Sequence, residues 1–395
     1  MTGLMGCGRE AVKEDKSLQE EEKNAKEKVV LWTYFEVDEQ KAGLELLLEN
    51  FNNSQDKYEA SWEYKGPLTE FTKQLSIGVA EEELPDMVLI DPPDMRTYVD
   101  LGLFEDITDY VNSNYGKDEF YPAVLNSVRY DERYYGIPFS CNNVGLIYNK
   151  SLLQEAGVKP PGNWEEFREV AAALTKTGTY GFAMSAIANE QSAFQVLPWI
   201  LSTGETMETL GGEGTVKALS MLQSMVEQGY MSKDCINWSQ VDVTRKFIAE
   251  ECAMMENGPW SLSMLEEAGM DYGIIKLPVD VTSVLITGGE NMCLIKGKNI
   301  EGGLALMDYY YNSDSMLSLA EKMCHLPPQR DMAKQLKERN EVYQVFEEQM
   351  EHCISRSDYP YWSKITGRLS DAIYGVITGS MSAQDAASRI EEAIL

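Results

Sequence analysis

Trp260 follows Asn257-Gly258-Pro259, a turn suited to opening a helix, which puts an indole beside the free backbone amides of a helix start. Trp32, Tyr34, Asp91 and Asp94 fall at or just beyond the ends of two apolar runs, Lys28–Tyr34 and Met87–Ile90. Asn142 and Asn143 occupy a short polar stretch after Pro138, and Phe194 sits in an apolar helical segment. Flat aromatic surface beside fixed hydrogen-bonding groups suits a ligand with an apolar face and a belt of hydroxyls, such as a pyranose ring. The chain has 7 Trp and 21 Tyr from which to build such a surface. Asp91 with Asp94, or either with Glu290, also admits a glycosidase reading, which needs two carboxyls held ~5–9 Å apart. Nothing in the sequence fixes that spacing. No G-x-S-x-G, H-E-x-x-H or glycine-rich phosphate loop occurs, and His325 and His352 are the only histidines. The chain is therefore expected to be no enzyme and to need no cofactor. Cys141, Cys235, Cys252, Cys293, Cys324 and Cys353 show no metal-like spacing and read as buried thiols, with pairing left open.

The elements that must hold these residues follow from periodicity. Lys28–Tyr34, Tyr58–Tyr64 and Met87–Ile90 read as strands, separated by helices through Leu44–Phe51 and Leu68–Val79. Strand, helix, strand, helix implies parallel strands with crossover helices, and ligands of such sheets sit at the strands' carboxyl ends. Tyr134–Pro138 reads as a strand that Pro138 terminates, and Ser140–Asn143 as a crossing into a second unit. There Val144–Tyr148 forms a strand, Asn149 and Asn163 cap two helices, and Gly157 with Pro160-Pro161 separates them. Further expected elements are a strand at Tyr180–Ser185, helices at Ala188–Leu201 and Val241–Ile248, strands at Cys252–Met255 and Tyr272–Leu277, and a helical tail from Met332 to Ile394.

The string YYGIPFSCNNVGLIYNKSLLQEAGVKPPGNWEEF resembles the extracellular solute-binding proteins of ABC importers, in the branch that mostly delivers sugars. Leu84–Asp91, Gly102–Thr108, the N-G-P-W turn, Thr287–Asn291, Leu326–Arg330 and the closing T-G-S-M-S-A-Q-D-A-A run are similar to that family in the same order. Asn163 stands where the family usually has Thr, and Glu250-Glu251-Cys252 departs from its usual turn. The resemblance implies an α/β, two-lobed periplasmic-binding-protein-like (type II) fold, with hinge crossings and a cleft between the lobes. The lobes are expected to comprise residues 29–139 plus 284–313, and 140–283 plus 314–395. It adds Trp362 as a stacking residue, and Gly289, Glu290, Asn291 and Arg330 as cleft residues beside Asp91, Asp94, Asn142 and Asn143. The function it implies is capture of a sugar or oligosaccharide by hinge closure and delivery to permease subunits, by a monomer. A phosphorylated polyol, a peptide or a compatible solute in the same fold is the alternative, with a carbohydrate-active enzyme less favoured.

Composition narrows the partners. A net charge of -30 disfavours nucleic acid and anionic membrane faces, both of which call for basic surface. No run approaches the ~20 apolar residues of a membrane-spanning helix. Leu4-Met5-Gly6-Cys7 looks like a lipobox, so residues 1–28 are expected to be a signal remnant, a lipidated Cys7 and a flexible tether. That places the protein on the outer face of a bacterial cell membrane, held only by its lipid.

Overall fold

The computed structural model describes residues 26–312 and 316–394. The Cys7 expectation lies outside them. The chain begins with β1 (Glu27–Thr33), α1 (Asp38–Ser54), β2 (Tyr58–Tyr64), α2 (Leu68–Glu81) and β3 (Met87–Ile90), then reaches β4 (Ile137–Pro138). It continues through β5 (Gly145–Asn149), α3 (Lys150–Ala156), α4 (Trp164–Leu174), α5 (Glu190–Leu201), α6 (Gln240–Ile248), β6 (Met254–Asn257) and β7 (Tyr272–Ile275). The short β8 (Leu285–Ile286), β9 (Asn291–Leu294), α7 (Ile300–Asn312) and β10 (Cys353–Ile354) precede the last long helices, α8 (Trp362–Thr378) and α9 (Ala383–Ile394).

Two sheets organise two α/β lobes. The first has the order β2-β1-β3-β9-β4, with β1 parallel to β2 and β3, and β9 antiparallel to β3 and β4. All four residues of β3 are buried, as a central strand covered on both faces requires. Pro138 lies on the edge strand β4, where its missing N–H costs no ladder bond. The second sheet is β6-β5-β7, with both outer strands antiparallel to β5. Each sheet faces its own hydrophobic core, one containing Leu31, Phe51, Val88 and Leu306, the other Leu146, Phe167, Trp199 and Ile373.

The capping signals act locally as their chemistry demands. Asn149 Oδ1 accepts from Leu152 N and Asn163 Oδ1 from Glu166 N, both at 3.0 Å. The expected strand at Tyr180–Ser185 is reduced to isolated bridges to Cys252, Met231 and Met255. Likewise Tyr134 pairs back on Arg129 in a small hairpin, so only Ile137–Pro138 joins the main sheet.

Three segments run side by side between the lobes. Asn142 and Gly288 exchange backbone hydrogen bonds of 3.1 and 2.9 Å, and Cys141 and Leu326 exchange bonds of 3.0 and 3.1 Å. Phe139 N also donates to Glu290 O at 2.7 Å. The crossing at Ser140–Asn143 is thus one of a set of three. The six cysteines after residue 25 are buried and unpaired.

Candidate functional site

The crossings form the back of a cleft whose empty space is ≈ 850 Å³ including its open mouth, within the size range of small-ligand pockets. The first lobe contributes the loop from β1 into α1, with Tyr34, Phe35, Glu36 and Val37, together with Gln40, Leu68 and Asp91. The second contributes Glu190, Gln191 and Phe194 from the start of α5, Ser239, Gln240 and Val241 from the start of α6, and Trp260. Asn142, Gly288, Gly289, Glu290 and Arg356 line the back.

Glycine is needed where the back approaches the ligand space. Gly289 has φ 121°, and a Cβ there would collide with the Ser140 carbonyl. A Cβ on Gly288 would meet Asn142 Oδ1 and stand 3.2 Å from the Phe194 ring. Trp260 and Phe194 form a tilted aromatic wall, with ring centroids 6.3 Å apart. The Arg356 guanidinium packs on Phe194, its Cζ 4.7 Å from the ring centroid.

Below this wall lies a buried charge cluster. Arg356, 2% exposed, pairs with Glu190 through Nη1, and its Nη2 lies 3.7 Å from Asp91 Oδ1. Glu190 also accepts from Trp362 Nε1 at 3.2 Å and from the Thr366 hydroxyl. Glu290 accepts from Tyr34 Oη at 3.2 Å and from the Ser140 hydroxyl. Desolvation pushes the Asp91 carboxyl well above its ordinary range; Arg356 pulls it down, while Glu190, Asp94 and Glu290 push it further up. Burial raises the Asp94 carboxyl to about 6, helped by Glu190. Glu290 is raised by burial and lowered by Ser140 and Tyr34.

Of the residues singled out in the sequence, Trp260, Tyr34, Phe194, Asp91, Asn142, Gly289 and Glu290 come together on the cleft surface. The others lie elsewhere, each for a packing reason. Trp362 is 2% exposed in the second core and reaches the site only through Glu190. Trp32 lies under Lys65, whose Nζ is 4.0 Å from the ring centroid. Asn143 donates to Phe346 O at 2.8 Å and accepts from Gln349 at 2.8 Å, inside the second lobe. Asn291 accepts from Ser127 Oγ at 3.1 Å within the first lobe. Asp94 turns away to accept from Thr72 Oγ1 at 3.4 Å. Arg330 pairs with Glu351 at 3.0 Å and donates to Asp118 O, outside the cleft.

Sequence reasoning missed Arg356 and Glu190, and with them the cleft polar residues Glu36, Gln40, Gln191, Ser239 and Gln240. Arg356 and Glu190 pair across 166 residues of the chain, so no local pattern announces them. The Asn189 cap was the one available signal: it accepts from Gln191 N at 2.9 Å and fixes the helix start carrying Glu190, Gln191 and Phe194.

The family of bacterial extracellular solute-binding proteins matches this sequence over residues 47–344. A galactooligosaccharide-binding protein of Bacillus subtilis (strain 168) is 22% identical over 329 residues, covering 78% of this chain and 76% of the relative. An sn-glycerol-3-phosphate-binding periplasmic protein of Shigella dysenteriae serotype 1 is 24% identical over 323 residues, covering 71% and 70%. A crystal structure of an ABC transporter solute-binding protein from Thermotoga lettingae, bound with alpha-D-tagatose, superposes with a TM-score of 0.85 at 20% identity, covering 93% of this chain and 100% of that one. Fold, cleft and sequence agree: the chain belongs to the bacterial extracellular solute-binding protein family.

Proposed function

We propose that the protein captures a sugar or oligosaccharide outside a bacterial cell and hands it to the permease of an ABC importer. The observation that carries this reading is the cleft itself, with Tyr34, Phe194 and Trp260 as ring faces and Glu36, Gln40, Asn142, Gln191 and Gln240 as polar groups around one space. The aromatic faces suit the C–H side of a pyranose and the amides and carboxylates its hydroxyls. Relatives named for galactooligosaccharide binding and for multiple-sugar binding support the class.

The mechanism is hinge closure about the three crossings, at residues 139–142, 287–290 and 325–327. A ligand touching both lobes favours the arrangement in which both walls meet it, and only that differential affinity shifts the equilibrium. We assign residues 29–139 and 284–313 to the first lobe and 140–283 with 314–395 to the second, except that β8 belongs with the second, since Leu285 and Ile286 pack in its core and pair with β10. The helix Met316–Lys322 straddles them, because Met316 and Leu319 pack in the first core and Leu317 and Ala320 in the second. Cys7 carries a lipid and the segment after it tethers a monomer to the membrane, ending before β1, which takes in Glu27 and Lys28 of the stretch expected as tether; no turnover is expected.

A phosphorylated polyol is disfavoured by the electrostatics. Arg356 is the only cation among the lining residues, and it is already held by two carboxylates. The test is a thermal-shift screen against sugars, sugar phosphates, amino acids and peptides. A ligand present at 100 times its Kd adds about 2.7 kcal/mol to the folded state. Stabilisation by a sugar class supports the reading; stabilisation only by phosphates or peptides overturns it.

A further inference from the structure

Four carboxylates (Glu36, Asp91, Glu190 and Glu290) and one guanidinium line the cleft. Three of these five groups are already engaged by the protein. Arg356 is held by Glu190 and Asp91 and covered by Phe194, so it presents no free face to an anion. Glu190 accepts from Arg356, Trp362 and Thr366. Glu290 accepts on one oxygen from Tyr34 and on the other from Ser140.

Asp91 differs. It is 9% exposed, lines the cleft, and its carboxylate accepts no hydrogen bond among the described residues. Its nearest cation atom is Arg356 Nη2 at 3.7 Å, beyond hydrogen-bonding reach. The cause is written in the sequence. An aspartate at a turn ordinarily accepts from the amide two residues on, but here that residue is Pro93, after Pro92, and neither has an N–H. The next amide, Asp94 N, goes to the Asp91 backbone carbonyl at 3.0 Å. The chain thus holds an acceptor-only group at the cleft floor with its local donors removed, offset by Arg356 at 3.7 Å and open toward the cleft, where a ligand's donors can reach it.

We propose that the ligand is a sugar bearing a protonated amine, with its ammonium seated against Asp91. This rests on the sugar-binding reading above and specifies its substrate class. An ammonium brings a positive charge and donors without acceptors, the complement of Asp91. The ring faces of Phe194, Trp260 and Tyr34 also favour a cation over an anion. Glu36 at the mouth adds to the field, while the mouth cations Lys41 and Arg245 are paired with Asp38 and Asp242 at 3.2 and 3.0 Å. Desolvation raises the Asp91 carboxyl and Arg356 pulls it down; an ammonium seated beside it would pull in the same direction as Arg356.

The test compares matched ligands by calorimetry on the full chain at pH 7 and low salt. D-glucosamine, D-glucose and N-acetyl-D-glucosamine are used with their β-1,4-linked disaccharides. The expected result is at least tenfold tighter binding of the amine-bearing member in one or both sizes, with the advantage reduced at high salt. Asp91→Asn is expected to bring the three within about threefold, the loss falling at least tenfold harder on the amine-bearing ligand than on the neutral ones, whatever the change in stability from its contact with Arg356. Should that variant fail to fold, Glu36→Gln at the exposed mouth is expected to reduce the amine preference by about twofold to threefold. Neutral sugars binding as tightly as the amines would overturn the amine assignment and leave sugar binding standing, as would an Asp91→Asn loss shared equally by all three. No binding by any sugar, charged or neutral, would overturn both.

Discussion

The cleft floor and the interior of the second lobe each keep a carboxylate away from water, by opposite means. Glu256, on β6, is fully buried; its Oε2 accepts from Trp199 Nε1 at 2.7 Å, and its Oε1 has no partner among the described residues. Burial pushes its carboxyl well above the ordinary range, with the Trp199 bond only partly opposing this, so it is held neutral. Asp91 and Glu190 sit instead around a buried guanidinium and border the ligand space. The interior settles the cost of burial by adding a proton, and the floor by adding a counter-ion. Glu256 has only the Trp199 N–H beside it, whereas Asp91, raised by burial but pulled down by Arg356, borders the space where a ligand's donors can meet it.

Removing the counter-ion should give the largest effect. Arg356→Met leaves Asp91 and Glu190 buried without a cation, and breaking a buried pair costs ~3–5 kcal/mol. Urea unfolding at pH 7 checks this. The loss should shrink as pH falls toward 5, because the Asp91 carboxyl, raised in the folded state, takes up a proton there and part of the uncompensated charge disappears. An equal loss at both pH values would mean that Arg356 stabilises by packing on Phe194, not by charge.

Glu256→Gln probes the other half of the comparison and should act in reverse. A carboxyl raised on folding opposes stability increasingly as pH rises above its unfolded value of ~4.3, because the unfolded state then sheds the proton that the folded state keeps. The amide has no such dependence. The variant should match the parent near pH 4 and exceed it by ~1–2 kcal/mol at pH 8, read as a flatter plot of stability against pH. A fall in stability at pH 8 would show that Glu256 is ionised where it stands.

Trp260 and Trp362 extend the contrast to aromatic residues, and they show how far the sequence can be read. Both open helical segments close after a proline, Pro259 and Pro360, and both match places where aromatics were expected at the cleft. One lines the cleft and the other lies in the core. Spacing sets which residues begin a helix, but the face that meets the cleft depends on how α8 packs against α5 and α9, which is long-range information. The same limit explains Asn142 and Asn143: adjacent residues in an extended crossing point to opposite sides, one into the cleft and one to Phe346 and Gln349. The strand–helix alternation of the first lobe and the caps at Asn149 and Asn163 were legible because they depend on neighbours in the chain. Arg356 was not, because its partners come from both lobes. Trp260→Ala should weaken ligand binding at least tenfold, ~1.4 kcal/mol, with little change in melting temperature. Trp362→Phe should leave direct ligand contacts intact and cost ~1 kcal/mol of stability through the lost bond to Glu190. The opposite pattern would exchange their roles.

The smallest effect should come from the mouth. Ser263, on the helix Leu262–Glu267, reaches across to Glu39 on α1, its Oγ 3.3 Å from Oε2. This contact joins the lobes without touching the cleft floor. Removing it with Ser263→Ala should leave the unliganded fold almost unchanged, because a partly exposed bond to a surface carboxylate contributes little. Any effect belongs to closure. Ligand dissociation should speed up by about twofold, the equivalent of ~0.4 kcal/mol, with the association rate unaltered, since the contact forms only after the walls have met. A stopped-flow measurement separates the two rates. A slower association with unchanged dissociation would mean that Ser263 acts in the open protein, and the mouth would then no longer mark a boundary between groups that hold the lobes and groups that hold the ligand.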